Sequence, residues 1–153
     1  MSLLHVSISA AAPEHVAGVL AEILSGSAHP FPPNPGAWIA FAASDDGTAV
    51  EVYPLTSRIA LGPEQIAFET AAPDAAPTFA HIALASPLTA EAVRAIGARE
   101  GWTARVCDRG PFTCIELWIE DRLLIEVLDP AMLAAYRRGM TAENWRRMFG
   151  WTD

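Results

Sequence analysis

His5-Val6-Ser7-Ile8-Ser9 near the start of the chain returns as His81-Ile82-Ala83-Leu84-Ala85 in its second half, and Val50-Glu51-Val52 returns as Ile125-Glu126-Val127. Each His opens an apolar, strand-like run, and each Glu lies inside another such run. Within each half the His and the Glu are separated by nearly the same length of chain. Self-similarity at a long fixed period marks a structural unit built twice. With a metal-ligand residue type at every repeated point, the pattern predicts a cup formed by two copies of one module around one ion.

Period-two alternation fixes which way these residues face, because successive strand residues point to opposite sides. In residues 3–9 the oily set is Leu4, Val6 and Ile8, so His5, Ser7 and Ser9 lie opposite. In 48–53 Val50 and Val52 leave Glu51 opposite. In 79–85 Ile82 and Leu84 leave His81 opposite, and in 122–128 Leu123, Ile125 and Val127 do the same for Glu126. All four thus share the side away from any covering helices. Two imidazoles and two carboxylates suit a borderline divalent cation such as Zn, Ni, Co, Mn or Fe(II). Six-coordination would leave two positions for substrate or water beside a basic carboxylate, as metal-assisted proton transfer requires.

The remaining pattern supplies the module. Pro13 opens a helix to about Leu24, with Val16, Val19, Leu20 and Ile23 at helical spacing. Residues 25–36 read as a Pro-rich loop, 38–42 as a strand, Asp45-Asp46-Gly47 as a turn and 48–53 as a strand, with a further short strand able to lie in 54–70. After a Pro-punctuated connector the order restarts: strand 79–85, a helix capped by Thr89 and running to about Glu100, then strands 102–108, 113–119 and 122–128. The expected fold class is α+β: two tandem βαβββ modules forming a cup-shaped mixed sheet, with a helical C-terminal tail. The expected segments are a first module at 1–56, a connector at 57–77, a second module at 78–129 and the tail at 130–153. In that tail Met132, Leu133 and Tyr136 share one face, and Trp145, Met148 and Phe149 follow in a second short helix.

Parity also nominates residues that could line the cup: Ser7, Trp38, Tyr53, Cys114, Glu116 and Trp118. Arg58 and Arg109 are candidate anion contacts, although loop arginines are more often simply solvated. His15 and His29 have no counterpart in the repeat and read as surface residues.

Bulk properties set limits. A chain of 153 residues with 52% hydrophobic content can bury a core without staples. The net charge of −8 repels phosphate backbones and argues against nucleic acid as a partner. No apolar run approaches the roughly 20 residues needed to span a bilayer, and the N-terminus lacks a basic leader, so neither membrane insertion nor secretion is expected. All ten basic residues are Arg, which excludes Schiff-base and P-loop lysine chemistry. Heavy Ala and Arg usage suggests a bacterial source. Cys107 and Cys114 fit neither a disulfide framework nor a zinc knuckle and read as reduced thiols in a cytoplasmic protein.

The duplicated βαβββ order with His-Glu-His-Glu at these positions resembles the vicinal oxygen chelate superfamily, which includes glyoxalase I, fosfomycin-resistance enzymes, extradiol dioxygenases and bleomycin-binding proteins. The resemblance covers about residues 3–129, and the four-ligand pattern looks most like glyoxalase I. It implies an enzyme, a metal-dependent lyase or isomerase chelating vicinal oxygens of a small molecule. His5, Glu51, His81 and Glu126 would be metal ligands, and a Glu base, Glu126 in preference to Glu51, would move the proton. Two other outcomes stay open: a non-catalytic binding or sequestering protein of the resistance type, using Trp38 and Trp118 for a cationic or aromatic ligand, and an extradiol-type dioxygenase. The connector lets the modules pair within one chain or across a homodimer, and a homodimer is expected.

Overall fold

The computed structural model describes residues 4–44 and 46–150. Leu3 of the first expected strand, Asp45 of the expected turn, and residues 151–153 of the tail lie outside the described residues. The chain divides into two compact units, Met1–Pro77 and Thr78–Asp153.

The first unit runs β1 (His5–Ala10), α1 (Pro13–Ile23), β2 (Ser27–Pro30), β3 (Trp38–Phe41), β4 (Ala49–Pro54), β5 (Ser57–Leu61) and β6 (Ile66–Thr70). Its four-stranded sheet has the order β1-β4-β3-β2, with β1 parallel to β4 and the other pairs antiparallel. Pro13 sits at the first turn of α1, where its missing N–H costs nothing. The helix buries Val16, Ala17, Val19, Leu20 and Ile23. The sheet contributes Ile8, Ala40, Val50 and Val52 to the buried core, and these residues share one face in the ladders.

Two parts of this unit differ from the sequence expectation. The Pro-rich segment 25–36 contains β2, which completes the βαβββ order. An edge strand of four residues pairs on one side only, so it needs no alternation and tolerates Pro30. The 57–77 segment holds the β5–β6 hairpin, which forms a separate two-stranded sheet.

The second unit runs β7 (Ile82–Ala85), α2 (Ala90–Glu100), β8 (Thr103–Asp108), β9 (Thr113–Ile119), β10 (Leu123–Leu128), α3 (Pro130–Gly139) and α4 (Ala142–Phe149). Its sheet order, β7-β10-β9-β8, repeats that of the first unit position for position. Thr89 caps α2 by accepting from the Ala92 N–H, which satisfies one of the helix's orphan donors. Asp129 caps α3 twice, from Ala131 and Met132. Ile115, Leu117, Ile125 and Val127 are fully buried on the α2 side. The opposite face is closed at one end by the tail: Met132, Leu133 and Tyr136 of α3 pack on Phe112, Cys114 and Leu128, with Tyr136 edge-on to Phe112 at 4.7 Å.

A Cβ at Gly26 would lie 1.9 Å from the Phe41 carbonyl oxygen. That oxygen belongs to a laddered strand and cannot retreat. Gly26→Ala is therefore expected to destabilise the protein by about 3 kcal/mol, read as a lower urea midpoint. An unchanged midpoint would show that the chain after α1 has room to move.

Candidate functional site

In the first unit Ser7 and Glu51 are direct partners across the parallel β1–β4 ladder, and His5 precedes them on the same face. This is the face opposite Ile8 and Val52. Ser7 Oγ donates to Glu51 Oε2 at 2.7 Å, and the Tyr53 hydroxyl donates to the same oxygen at 3.0 Å. The carboxylate is thus fixed through one oxygen while Oε1 has no partner among the described residues. Tyr53 is itself held between Phe31, edge-on at 5.8 Å, and Phe68 of β6, stacked at 5.6 Å. Burial, followed by the Glu51 hydrogen bond and charge, pushes the Tyr53 phenol up to about 12. It therefore stays a donor across the physiological range. The β5–β6 hairpin earns a place in the site by this route, since it supplies the ring that steadies the Tyr53 hydroxyl.

Trp38 is a correction. It was expected on the open face but pairs with Val52 across β3–β4, while Ile39 pairs with Glu51. Trp38 therefore lies on the α1 side, where it borders a surface depression with Ala12, Pro13, Glu14, His15 and Gly36. The run Trp-Ile-Ala-Phe is apolar throughout, so its polarity could not reveal its register.

In the second unit Glu126 of β10 stands opposite Glu116 of β9. The two are 7% and 6% exposed respectively. Like charges at such a cross-strand pair repel unless a cation intervenes, and Arg109 does so. Its Nε donates to Glu126 Oε1 at 2.8 Å and its Nη2 to Glu116 Oε1 at 2.6 Å. Arg105 holds the second Glu116 oxygen at 2.8 Å, and the Trp118 indole reaches that oxygen at 3.4 Å. Burial alone would raise the Glu116 pKa, but hydrogen bonds from Arg109, Arg105 and Trp118 outweigh it and hold the carboxyl at about 2. The hydrogen bonds to Glu116 and then Glu126 raise the Arg109 pKa further still. Cys114 is buried on the same face, and burial first, then the Glu126 charge, pushes its thiol up to about 11. It is a packing residue rather than a nucleophile.

His81 stands one residue before β7, because the parallel ladder with β10 begins at Ile82. The chain upstream is turned instead by Thr78, whose hydroxyl donates to the Ala80 carbonyl. The His81 ring is exposed, with Nδ1 3.4 Å from the Phe79 carbonyl oxygen. That carbonyl can only accept, so Nδ1 is the donor in this contact.

The structure thus sets His5 beside Glu51 on one face of the first unit, and places His81 next to the strand that pairs with Glu126 in the second. Among the described residues no group of three or more His, Cys, Asp or Glu side chains is gathered to hold an ion. Each unit offers an imidazole and, among the described residues, a carboxylate with a partner on one oxygen only, residue types that can bind divalent cations. Arg58 donates to the carbonyls of Leu55 and Ser57, both at 2.9 Å. Sequence reasoning undervalued Arg109. The available signal was the pair of carboxylates that parity turns to one face of adjacent strands, since two such groups need a cation.

No family model matches the sequence, and no curated protein matches it. Solved structures do match the fold. A genomically encoded fosfomycin resistance protein, FosX, from Listeria monocytogenes superposes with a TM-score of 0.54 at 14% identity, over 90% of this chain and 97% of that one. A trypanothione-dependent glyoxalase I from Leishmania major gives a TM-score of 0.49 at 12% identity, over 99% of each chain. No helix among the described residues is long and apolar enough to cross a membrane. With two tandem βαβββ units of identical strand order, the chain shares the fold of the fosfomycin resistance protein on which it superposes.

Proposed function

We propose that this protein is a glyoxalase-like, metal-dependent lyase or isomerase acting on a small oxygenated molecule. His5, Glu51, His81 and Glu126 would be ligands to a divalent cation of the Zn, Ni, Co, Mn or Fe(II) kind. The bound ion would supply Lewis acidity toward neighbouring substrate oxygens. The observation that carries this reading is the anchoring of Glu51, held at Oε2 by Ser7 and Tyr53 with Oε1 open. A carboxylate pinned in this way can accept a proton at its free oxygen without losing its orientation. We assign the base to Glu51 rather than Glu126, because a guanidinium already occupies one Glu126 oxygen and neutralises the group. The homodimer is supported by large apolar side chains left exposed on the hairpin (Ile59, Leu61, Ile66) and on α4 (Met148, Phe149).

Metal analysis of protein purified without chelators, followed by titration, tests the reading directly. About one equivalent of transition metal per site is expected, and it should be lost in His5→Ala and His81→Ala. Protein that carries no metal and takes up none on titration would refute the proposal. Metal-loaded protein should then be screened for proton exchange with small oxygenated molecules and for turnover of fosfomycin.

A second reading, a binding or sequestering protein without chemistry, is favoured by one feature: Glu116 and Glu126 are both already paired with Arg109. Ligand affinity that survives loss of His5 and His81 would select it.

A further inference from the structure

Cys107 of β8 and Cys114 of β9 are direct partners across an antiparallel ladder, and both are free thiols. The turn between the strands fixes which kind of pair they form. The Arg109 N–H donates to the Phe112 carbonyl at 2.8 Å, which makes those two residues a hydrogen-bonded pair. Such pairs recur at every second step of an antiparallel ladder, so Cys107 and Cys114 form the next one. Their Cα atoms then stand about 5.5 Å apart, inside the range of roughly 4.4–6.8 Å that a disulfide spans. Cβ atoms of facing residues lie about 4.5–5.5 Å apart and need to approach by only roughly 1 Å to reach disulfide geometry. The two thiols meet different surroundings. Cys114 is fully buried and packs with Phe112 and Leu128, and the half-buried Cys107 leans on the same cluster. Arg105, two residues back on the same face of β8, has its pKa raised by Glu116 first and then by Cys107, so its guanidinium lies beside the Cys107 sulfur. A reagent from solution therefore meets Cys107 first. Cys114 is inert toward solution and meets only what Cys107 has become.

We infer that Cys107 and Cys114 form a site of reversible oxidation by hydroperoxides, closing a cross-strand disulfide between β8 and β9. Neither residue belongs to the proposed ligand set, and the whole site lies within the second unit. With hydrogen peroxide, the Cys107 sulfur attacks one peroxide oxygen and the O–O bond breaks, giving a sulfenic acid and water. The Cys114 sulfur then attacks the sulfenic sulfur. The S–S bond forms, the S–O bond breaks, and the departing hydroxyl takes the Cys114 proton as a second water. Two thiols are oxidised to one disulfide, and one peroxide is reduced to two waters. A facing thiol thus intercepts the sulfenic acid before it advances to the sulfinic acid, which thiols do not reverse. The ladder resists the final approach of the two sulfurs, so the bridge is strained and a dithiol reopens it.

Full-length reduced protein treated with hydrogen peroxide near stoichiometry, quenched with catalase and assayed for thiols in denaturant tests this. Both thiols are expected to disappear together, with the chain lighter by two hydrogens, no cross-linked dimer on a denaturing gel, and full recovery with dithiothreitol. Trypsin should release fragments 106–109 and 110–122 joined by one S–S bond. Cys107→Ser leaves the buried thiol in place, and Cys114 in that variant should be consumed at least about tenfold more slowly than in wild type. Cys114→Ala should stop at a Cys107 sulfenic acid that dimedone traps. Survival of both thiols, oxygen addition at Cys107 with Cys114 still free, or a bridge between two chains in place of one within a chain would each overturn the inference. Should Cys114→Ala fold poorly, the fragment map of the wild type and the Cys107→Ser rate decide the matter without it.

Discussion

Glu51→Gln is expected to lower turnover by roughly two to four orders of magnitude, the usual contribution of a positioned general base, with little change in stability. The amide keeps the shape of the carboxylate, and its carbonyl oxygen can still accept from Ser7 Oγ and the Tyr53 hydroxyl. It cannot take a proton. Metal content measured beside turnover makes the result diagnostic. Retained metal with collapsed turnover assigns the proton transfer to Glu51. Parallel loss of both makes Glu51 a ligand first. Full turnover in the variant would rule Glu51 out as the base. Tyr53→Phe should act in the same direction but less, since Ser7 continues to hold the carboxylate and the phenyl ring keeps its stack on Phe68.

Glu116 should dominate the acid limb of stability. Its ordinary pKa of 4.5 falls to about 2 in the folded chain. A carboxyl depressed by folding stabilises the native state at pH values above its unfolded pKa, and that contribution is lost as pH falls through the folded value. The window therefore runs from about pH 4.5 down to about pH 2. The shift is equivalent to a contribution on the order of 3 kcal/mol, or roughly 10 °C in Tm for a chain of this size. Glu116→Gln isolates it, because other carboxyl groups titrate in the same range. The variant should melt well below wild type at pH 7, where breaking a buried pair leaves Arg109 and Arg105 poorly compensated. The gap should narrow steadily as pH falls toward 2. A gap that stays constant from pH 7 to pH 2 would mean that the Glu116 charge contributes nothing and only its shape matters.

Much of the fold was legible because it depends on local pattern. Strand 113–119 and the Thr89 cap of α2 could be read directly, since alternation and capping chemistry involve residues close in sequence. The β2 edge strand was not legible. Ser-Ala-His-Pro carries no alternation, and it forms only because β3 offers it a free ladder edge. The face of Trp38 was lost for a related reason: parity needs a polar reference, and its strand has none. The same limit hid the aromatic support of Glu51, where Phe31 and Phe68 reach Tyr53 from separate elements.

By itself the amino-acid sequence determined that one strand-helix-strand pattern occurs twice and that a His and a Glu recur on the polar side of each copy. Alternation of oily and polar residues writes that side into the chain. Only the tertiary structure decided what each carboxylate touches. Glu51 meets two hydroxyls and Glu126 meets a guanidinium because cross-strand register and turn geometry bring those donors there, and residues distant in sequence carry no local mark of such contacts.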